Sequence, residues 1–230
     1  MTVIARLYVI RHGETEWNRA RIIQGQADSK LNDLGETQAA TTGEALKAIQ
    51  FDKAFTSDLS RASKTAEIIL QHHPDVVLVK DRALRERFMG KLQGTKGPAN
   101  KSEPSLEPEE AMLGRSVGWY DREIVPYVSS LADNPDGRTR NILVTSHGWL
   151  ISSFLKSMIA TGVFECAEDL LGSTPKIPNA SLSVVEYSMV GSGSDSERRI
   201  RATVVKYGDA SHLQGTQILR DNADMDALRS

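Results

Sequence analysis

The sequence predicts an α/β fold, built on a mostly parallel central sheet with helices on both faces. Two observations favour this class. Residues 3–10 and 141–145 are short, largely apolar and rich in β-branched side chains, as is typical of parallel strands buried on both faces. Segments with helical spacing lie between them, so strands and helices alternate. A chain of 230 residues with 40% hydrophobic side chains can bury one core, and residues 1–230 are expected to form a single domain.

Four further segments have the composition of strands. Residues 53–56 and 76–79 are the weaker candidates. Residues 182–187 and 199–205 flank the glycine- and serine-rich segment 191–196, which predicts two late strands joined by a flexible loop. We expect this pair of strands to lie at the edge of the sheet.

Three segments repeat apolar or small residues at the spacing of a helix. The repeats are Ala39, Thr42, Leu46 and Ile49; Ala62, Ala66 and Ile69; and Leu113, Val117, Tyr120, Ile124, Tyr127 and Leu131. Pro126 falls inside the third segment and should kink that helix or break it in two, because proline lacks the NH donor. Residues 95–108 contain several prolines and show neither period, so we expect an excursion or lid within 95–115. The tail after Asp209 is polar.

Charge and composition exclude several classes of partner. The 28 basic and 30 acidic side chains nearly balance, whereas surfaces that bind nucleic acid or membranes usually need a clear excess of Lys and Arg. Neither partner is expected, and an anionic ligand must be held by a local cluster of positive charge. The single cysteine, Cys166, cannot form an intramolecular disulfide, and no apolar stretch approaches the roughly 20 residues that span a bilayer. These features predict a cytoplasmic protein.

Arg11, His12 and Gly13 directly follow the first buried strand, where an open α/β sheet places its chemistry. Arginine offers a cationic fork for phosphate oxygens, a neutral imidazole is a nucleophile near pH 7, and glycine lets a bulky dianion approach the backbone. We therefore interpret His12 as a nucleophile that accepts a phosphoryl group. The three residues alone are weak support, since a histidine at a strand end can also be satisfied by its neighbours.

His147 and Gly148 repeat this arrangement after residues 141–145. Two such strands side by side would bring both imidazoles to one crevice. Arg61 belongs to the first turn of a helix predicted to start near Leu59, where free NH groups and the helix dipole also attract an anion. The alternative for His147 is a histidine that starts a helix and faces water.

Five motifs occur in an order that matches a known family. They are Arg11 to Asn18; Gln24-Gly25; Ser57-Asp58-Leu59 with Arg61 and Thr65; Leu84-Arg85-Glu86-Arg87 with Gly90; and Ser146-His147-Gly148. With these motifs the chain resembles the phosphoglycerate-mutase-like branch of the histidine phosphatase superfamily, over roughly residues 3–205. The resemblance implies that fold, a small-molecule phosphate ester as substrate, and a possible homodimer. No spaced set of His, Cys or carboxylate residues suggests a metal site, and no cofactor is expected.

The resemblance also implies residue roles. His12 would attack phosphorus and become phosphohistidine, while Arg11, Arg61 and His147 grip the phosphoryl oxygens. Glu86 would protonate the leaving group and then act as base for the hydrolytic water. The further phosphate-site residues are Asn18, Gln24, Gly25 and Gly148, and local turn-making is a competing role for Asn18 and Gln24.

Glu86 lies between Arg85 and Arg87, a pattern that also suits a surface salt-bridge cluster of little energetic value. As a general acid its carboxyl must hold a proton near neutral pH, which a neighbouring phosphate dianion favours and flanking arginines oppose. Alternate side chains of an extended segment point in opposite directions. Both arginines would then point away from Glu86 and leave it facing the pocket.

The stretch after Gly94 departs from the mutases that the chain resembles. Those mutases carry a longer basic insertion with paired arginines, where this chain has Lys96, Lys101 and a lone Arg115 among prolines and acids. Residues 22–26 and 84–87 look closer to the fructose-2,6-bisphosphatase-like and fungal broad-specificity phosphatases. The resemblance therefore predicts a metal-independent phosphomonoesterase. A cofactor-dependent phosphoglycerate mutase and a low-turnover regulatory protein that binds phosphate ligands are the alternatives.

Overall fold

The computed structural model describes residues 1–96, 103–132, 137–166, 170, 177–191 and 199–215, apart from the side chain of residue 132. Most of the loop predicted at 191–196, part of the excursion at 95–115 and the end of the polar tail lie outside these residues. The helices and strands are β1 (Thr2–Arg11), α1 (Glu16–Arg19), α2 (Asp33–Leu46), β2 (Phe51–Ser57), α3 (Ser60–Ile69), β3 (Leu78–Asp81), α4 (Glu109–Glu123), α5 (Val125–Ala132), β4 (Arg140–Ser146), α6 (Gly148–Ala160), β5 (Glu165–Cys166), β6 (Leu182–Val190) and β7 (Arg199–Asp209).

The seven strands of the described residues form one sheet in the order β3-β2-β4-β1-β6-β7-β5. Strands β3, β2, β4 and β1 run parallel to one another. Strand β6 is antiparallel to β1 and to β7, and β5 is parallel to β7. The sheet is therefore mixed but mostly parallel, and the predicted α/β class is confirmed.

The late strands correct the expectation that both lie at the sheet edge. Strand β6 lies inside the sheet, between β1 and β7, and β5 pairs with part of β7. Side chains on both faces of β6, among them Val184 and Val185, are buried, so this strand needs cover on both sides. The strand predicted at 76–79 begins two residues later, at Leu78, and Val77 before it is 78% exposed.

Alternate residues of β1 pack on opposite faces of the sheet. Tyr8 and Ile10 belong to a cluster with side chains of α2 and α3, whereas Leu7 and Val9 belong to a cluster with side chains of α4, α5 and α6. Helices therefore cover both faces, as predicted. The long helix is broken, as predicted, since α4 ends at Glu123 and α5 begins at Val125, beside Pro126.

The loop after β1 crosses the first turn of α2 at very short range. Asn32 caps this helix, because its side-chain oxygen accepts a hydrogen bond from the Gly35 NH at 2.8 Å. A Cβ atom on Gly35 would lie 2.0 Å from the Glu14 carbonyl oxygen, and one on Gly13 would lie 2.3 Å from the Gly35 carbonyl oxygen. The crossing accepts only glycine at these two positions, and it fixes the path of the chain immediately after His12.

We expect Gly35→Ala to lower the free energy of unfolding by about 2 kcal/mol or more, because the new methyl group must push two backbone segments apart. Gly118→Ala, in the exposed part of α4 where an added Cβ meets nothing within 4 Å, is the matched control. It should raise stability by about 0.5–1 kcal/mol, since alanine is the better helix former. Urea unfolding measures both, and equal effects of the two substitutions would show that the crossing is not tight.

Candidate active site

His12 is the first residue after β1, and its backbone is held at the carboxyl end of the sheet. Its NH donates to the Ser146 carbonyl at 3.0 Å, and its carbonyl accepts from the Ala180 NH at 3.1 Å. The parallel register of β1 and β4 pairs Arg11 with Ser146. The residues that follow, His12 and His147, therefore lie side by side, with ring centroids 5.2 Å apart.

His12 is neutral and has a defined tautomer. Burial, followed by the positive charges of Arg61 and Arg11, lowers the pKa of His12 well below its ordinary value of 6.5. Its Nδ1 lies 2.7 Å from the Gly13 carbonyl oxygen, which only accepts hydrogen bonds, so Nδ1 carries the proton. Nε2 is then the bare nitrogen, and it accepts a hydrogen bond from Arg61 Nε at 3.2 Å. The lone pair that a nucleophile needs thus faces a guanidinium group.

Arg61 is the second residue of α3 and is fully buried. Its Nη1 donates to the Ala27 carbonyl at 2.8 Å and its Nη2 to the Gly25 carbonyl at 2.7 Å. Gly25 adopts a φ of 52°, a conformation that favours glycine, and a Cβ atom there would lie 2.8 Å from the Met89 side chain. The loop at Gly25 therefore orients Arg61 so that its Nε points at His12.

His147 is fully buried, yet neither of its ring nitrogens has a hydrogen-bond partner among the described residues. Burial, followed by the charge of Arg61, lowers the pKa of His147 well below 6.5, and His12, Arg115 and Arg11 act in the same direction. Arg11, also buried, donates from Nη1 to the Ile177 carbonyl at 2.6 Å. Buried polar atoms normally have partners, so this arrangement suits an anion whose oxygen accepts a hydrogen bond from the N–H group of the neutral His147 ring.

Glu86 is buried against the start of α6, and its carboxylate caps that helix. Oε2 accepts from the Trp149 NH and Oε1 from the Leu150 NH, each at 3.0 Å. His147 is the residue immediately before this helix. The helix terminus that follows His147 therefore holds the Glu86 carboxylate.

The arginines beside Glu86 point away from its carboxylate. The Arg85 side chain forms a two-pronged ion pair with Asp58, at 2.6 and 2.7 Å. The Arg87 guanidinium lies over the Trp149 ring, 4.7 Å from its centroid, and donates to the Glu107 carbonyl at 2.7 Å. A surface cluster of three charges, the alternative that the sequence left open, is not what forms here.

Asn18 and Gln24 both take part in local turns. Asn18 and Thr15 form a capping box at α1, and the Thr15 hydroxyl donates to Gln24 Oε1 at 2.9 Å. Asn18 Nδ2, however, has no partner among the described residues, although only 5% of Asn18 is exposed. Asn18 therefore stabilises a local turn through its side-chain oxygen, while its amide NH₂ group could still donate to a ligand.

The groups around His12 are nearly closed to solvent. His12 is 3% exposed, and Arg61 covers its Nε2. A ligand must therefore displace Arg61 Nε to reach this nitrogen. A cavity of about 390 Å³ lies elsewhere, between α2 and strands β1, β6 and β7, and none of these residues lines it.

The described residues contain no cluster of three or more His, Cys, Asp or Glu side chains that could hold a metal ion. No helix in the same part of the chain combines the length and apolar character needed to cross a bilayer.

A family model for the histidine phosphatase superfamily, branch 1, matches residues 7–192, a range that contains both histidines and Glu86. The chain belongs to this superfamily.

The names of the relatives of this chain include both phosphatases and phosphoglycerate mutases. The chain is 32% identical to phosphoglycerate mutase-like protein 4 of Arabidopsis thaliana, over 94% of this chain and 90% of that protein. It is also 32% identical to a broad-specificity phosphatase of Saccharomyces cerevisiae, over 66% of this chain and 70% of that protein. A solved phosphoglycerate mutase from Bacillus anthracis shares the fold, with a TM-score of 0.71 at 24% identity over 92% of this chain and 96% of that one. The family therefore supports a phosphatase or a mutase.

Asn179 is a buried residue near His12 that the sequence did not single out. Its Nδ2 donates to the carbonyls of His12 and Gly13, at 3.1 and 3.3 Å, and to Asn18 Oδ1 at 3.3 Å. These bonds hold the Gly13 carbonyl, which sets the His12 tautomer, and they occupy the oxygen of the Asn18 amide while its Nδ2 has no partner among the described residues. Asn179 is 167 residues from His12, so only its position just before a buried strand hinted at this contact.

The lowered pKa values of His12 and His147 make stability depend on pH. Below pH 6.5 the unfolded chain binds protons that the folded chain refuses, so stability is complete above that pH and falls as the pH falls. Each histidine contributes up to about 1.4 kcal/mol per pH unit. Between pH 6.5 and 5, we expect the unfolding free energy of His147→Gln to fall less than that of the wild-type protein, because the variant lacks one of the two histidines. At pH 8, where both are neutral in both states, the comparison measures packing alone. Identical slopes for the two proteins would contradict the neutral His147.

Proposed function

We propose that this member of the histidine phosphatase superfamily hydrolyses phosphate monoesters of small molecules through a phosphohistidine on His12, without a metal or other cofactor. The observation that carries the proposal is the neutral His12 ring, whose Nδ1 is tied to Gly13 while Nε2 faces Arg61. A fixed neutral imidazole beside guanidinium groups is suited to attack phosphorus, because the cations stabilise charge on the equatorial oxygens.

In the proposed first step the Nε2 lone pair of His12 attacks phosphorus, and the bond from phosphorus to the ester oxygen breaks. Glu86 enters this step protonated and donates its proton to the leaving oxygen, which leaves a carboxylate. In the second step a water oxygen attacks phosphorus, Glu86 takes its proton, and the phosphorus–nitrogen bond breaks. This releases orthophosphate and restores neutral His12. Arg11, Arg61 and His147 bind the phosphoryl oxygens in both steps.

Four further residues complete the proposed phosphate site. Asn18 would donate its Nδ2, which has no partner among the described residues, to a phosphoryl oxygen. Gly25 orients Arg61 through its carbonyl, and Gln24 is bonded to Thr15 in the same loop. Gly148 opens α6 without a side chain that would crowd the anion.

The hydrogen bonds of Arg115 favour hydrolysis over isomerisation, because they are made to the protein itself. A mutase must hold a second phosphate and keep water from the phosphohistidine. Arg115 is the one arginine in the stretch where the resembled mutases carry a pair, and it donates to Glu107 and to backbone carbonyls. A cofactor-dependent phosphoglycerate mutase is the second candidate, because relatives with mutase names are equally similar. The cytoplasmic location and the homodimer stay predictions.

We expect radiolabelled phosphate from a phosphate monoester to become trapped on the wild-type protein after a rapid alkaline quench, and His12→Ala to trap none. Turnover should fall at least about 1,000-fold in that variant, since the nucleophile is lost. His72→Ala, which removes an exposed histidine far from the site, is the control and should keep both label and turnover. Label that survives His12→Ala would assign the phosphoryl group to another residue.

We also expect efficient release of phosphate from p-nitrophenyl phosphate and little isomerisation of 3-phosphoglycerate when 2,3-bisphosphoglycerate is supplied. EDTA should leave the rate unchanged, because the proposed steps use only protein groups. Rapid isomerisation with slow hydrolysis would establish the mutase instead. Binding of phosphate without turnover of either substrate would favour the regulatory protein.

A further inference from the structure

The guanidinium group of Arg115 makes all its hydrogen bonds to other groups of the protein. It lies on α4 with its side chain 21% exposed, and a guanidinium group has five N–H donors. Nη1 donates to the carbonyls of Ala83 and Arg85, at 2.7 and 2.6 Å. Nη2 donates to the Glu86 carbonyl at 2.9 Å and to Glu107 Oε2 at 3.1 Å, and Nε donates to Glu107 Oε1 at 2.8 Å. All five donors are used, which leaves none for a substrate phosphate.

Glu107 extends the same contact beyond Glu86. Its Oε2 accepts from the Phe88 NH at 2.9 Å, and its backbone NH donates to the Phe88 carbonyl at 2.9 Å. Arg115 therefore holds the chain from Ala83 to Glu86, while Glu107 holds the chain just after it. Arg115 and Glu107 also form an ion pair with each other. Together they hydrogen-bond the main chain before and after the Glu86 side chain.

The position of the Glu86 backbone decides where its carboxylate lies. The carboxylate accepts from the NH groups of Trp149 and Leu150 at 3.0 Å, at the start of the helix that follows His147. Arg115, together with the side-chain amide of Gln26, holds the Glu86 carbonyl, so a shift of this main chain would move the carboxylate away from those NH groups. Proton transfer to a leaving oxygen needs hydrogen-bond distance, and a misplacement of about 1 Å can cost about 100-fold in rate.

We infer that Arg115, paired with Glu107, is a positioning residue that holds Glu86 within reach of the oxygen of the leaving alcohol. The inference rests on the proposed role of Glu86 as general acid. It gives Arg115 a purpose other than binding a second phosphate. It also predicts a specific defect. Loss of the hydrogen bonds from Arg115 should impair proton donation by Glu86 and leave phosphate binding by Arg11 and Arg61 intact.

Leaving groups of different basicity test this inference. An alkyl phosphate such as glycerol 2-phosphate releases an alkoxide that must be protonated, whereas p-nitrophenyl phosphate releases an anion that is stable near neutral pH. The value of kcat/KM reports the steps up to loss of the leaving group. Arg115→Ala should lower kcat/KM about 100-fold for the alkyl ester and less than about 3-fold for the aryl ester. Arg115→Lys, which keeps the charge but not the fork, should show the same selectivity to a smaller degree and serves if the alanine variant does not fold.

Two further variants complete the experiment. Arg122 lies on the same helix and pairs with Asp81 at the surface. Arg122→Ala should therefore leave kcat/KM unchanged for both esters. Glu86→Gln should show the full leaving-group selectivity. If Glu86→Gln lacks that selectivity, the proposed general acid is wrong and the inference falls with it. If Glu86→Gln shows it but the Arg115 variants slow both esters equally, or neither, then only the positioning role is overturned.

Discussion

Burial of two histidines among guanidinium groups is the constraint on which the site depends. Burial and positive charge act in the same direction on an imidazole, so the pKa values of His12 and His147 both fall and both rings are neutral. The same surroundings attract a phosphate dianion, since positive charge acts strongly where water is excluded. One arrangement would therefore supply both the unprotonated nucleophile and the anion site that the proposed function needs.

The fold supplies this arrangement through the ends of its elements. Neighbouring parallel strands β1 and β4 end in register, which sets the two histidines 5.2 Å apart. Arg61 comes from the first turn of α3, and the start of α6 holds the Glu86 carboxylate. The crossing of Gly13 with Gly35 and the amide of Asn179 then fix the chain around His12. The site thus draws on distant segments that meet only because the sheet is formed.

The sequence predicted those parts of the molecule whose signals are local. The apolar strands 3–10 and 141–145, the break at Pro126 and the placement of histidines after buried strands can each be inferred from a few adjacent residues. The order of the strands could not be inferred in this way, because an apolar segment such as β6 has the same sequence pattern inside a sheet and at its edge. The partners of Asn179 and Arg115 were also hidden, because those hydrogen bonds join segments that are far apart in the chain.

The central claim is that neutral His12 presents Nε2, and not Nδ1, to phosphorus. The most direct measurement is NMR of the trapped phosphoenzyme prepared with ¹⁵N-labelled histidine, in which phosphorus shows a one-bond coupling to the nitrogen that carries it. The account predicts coupling to Nε2 of His12, because Nδ1 is bonded to the Gly13 carbonyl. Phosphorus coupled to Nδ1, or attached to a residue other than His12, would contradict the account.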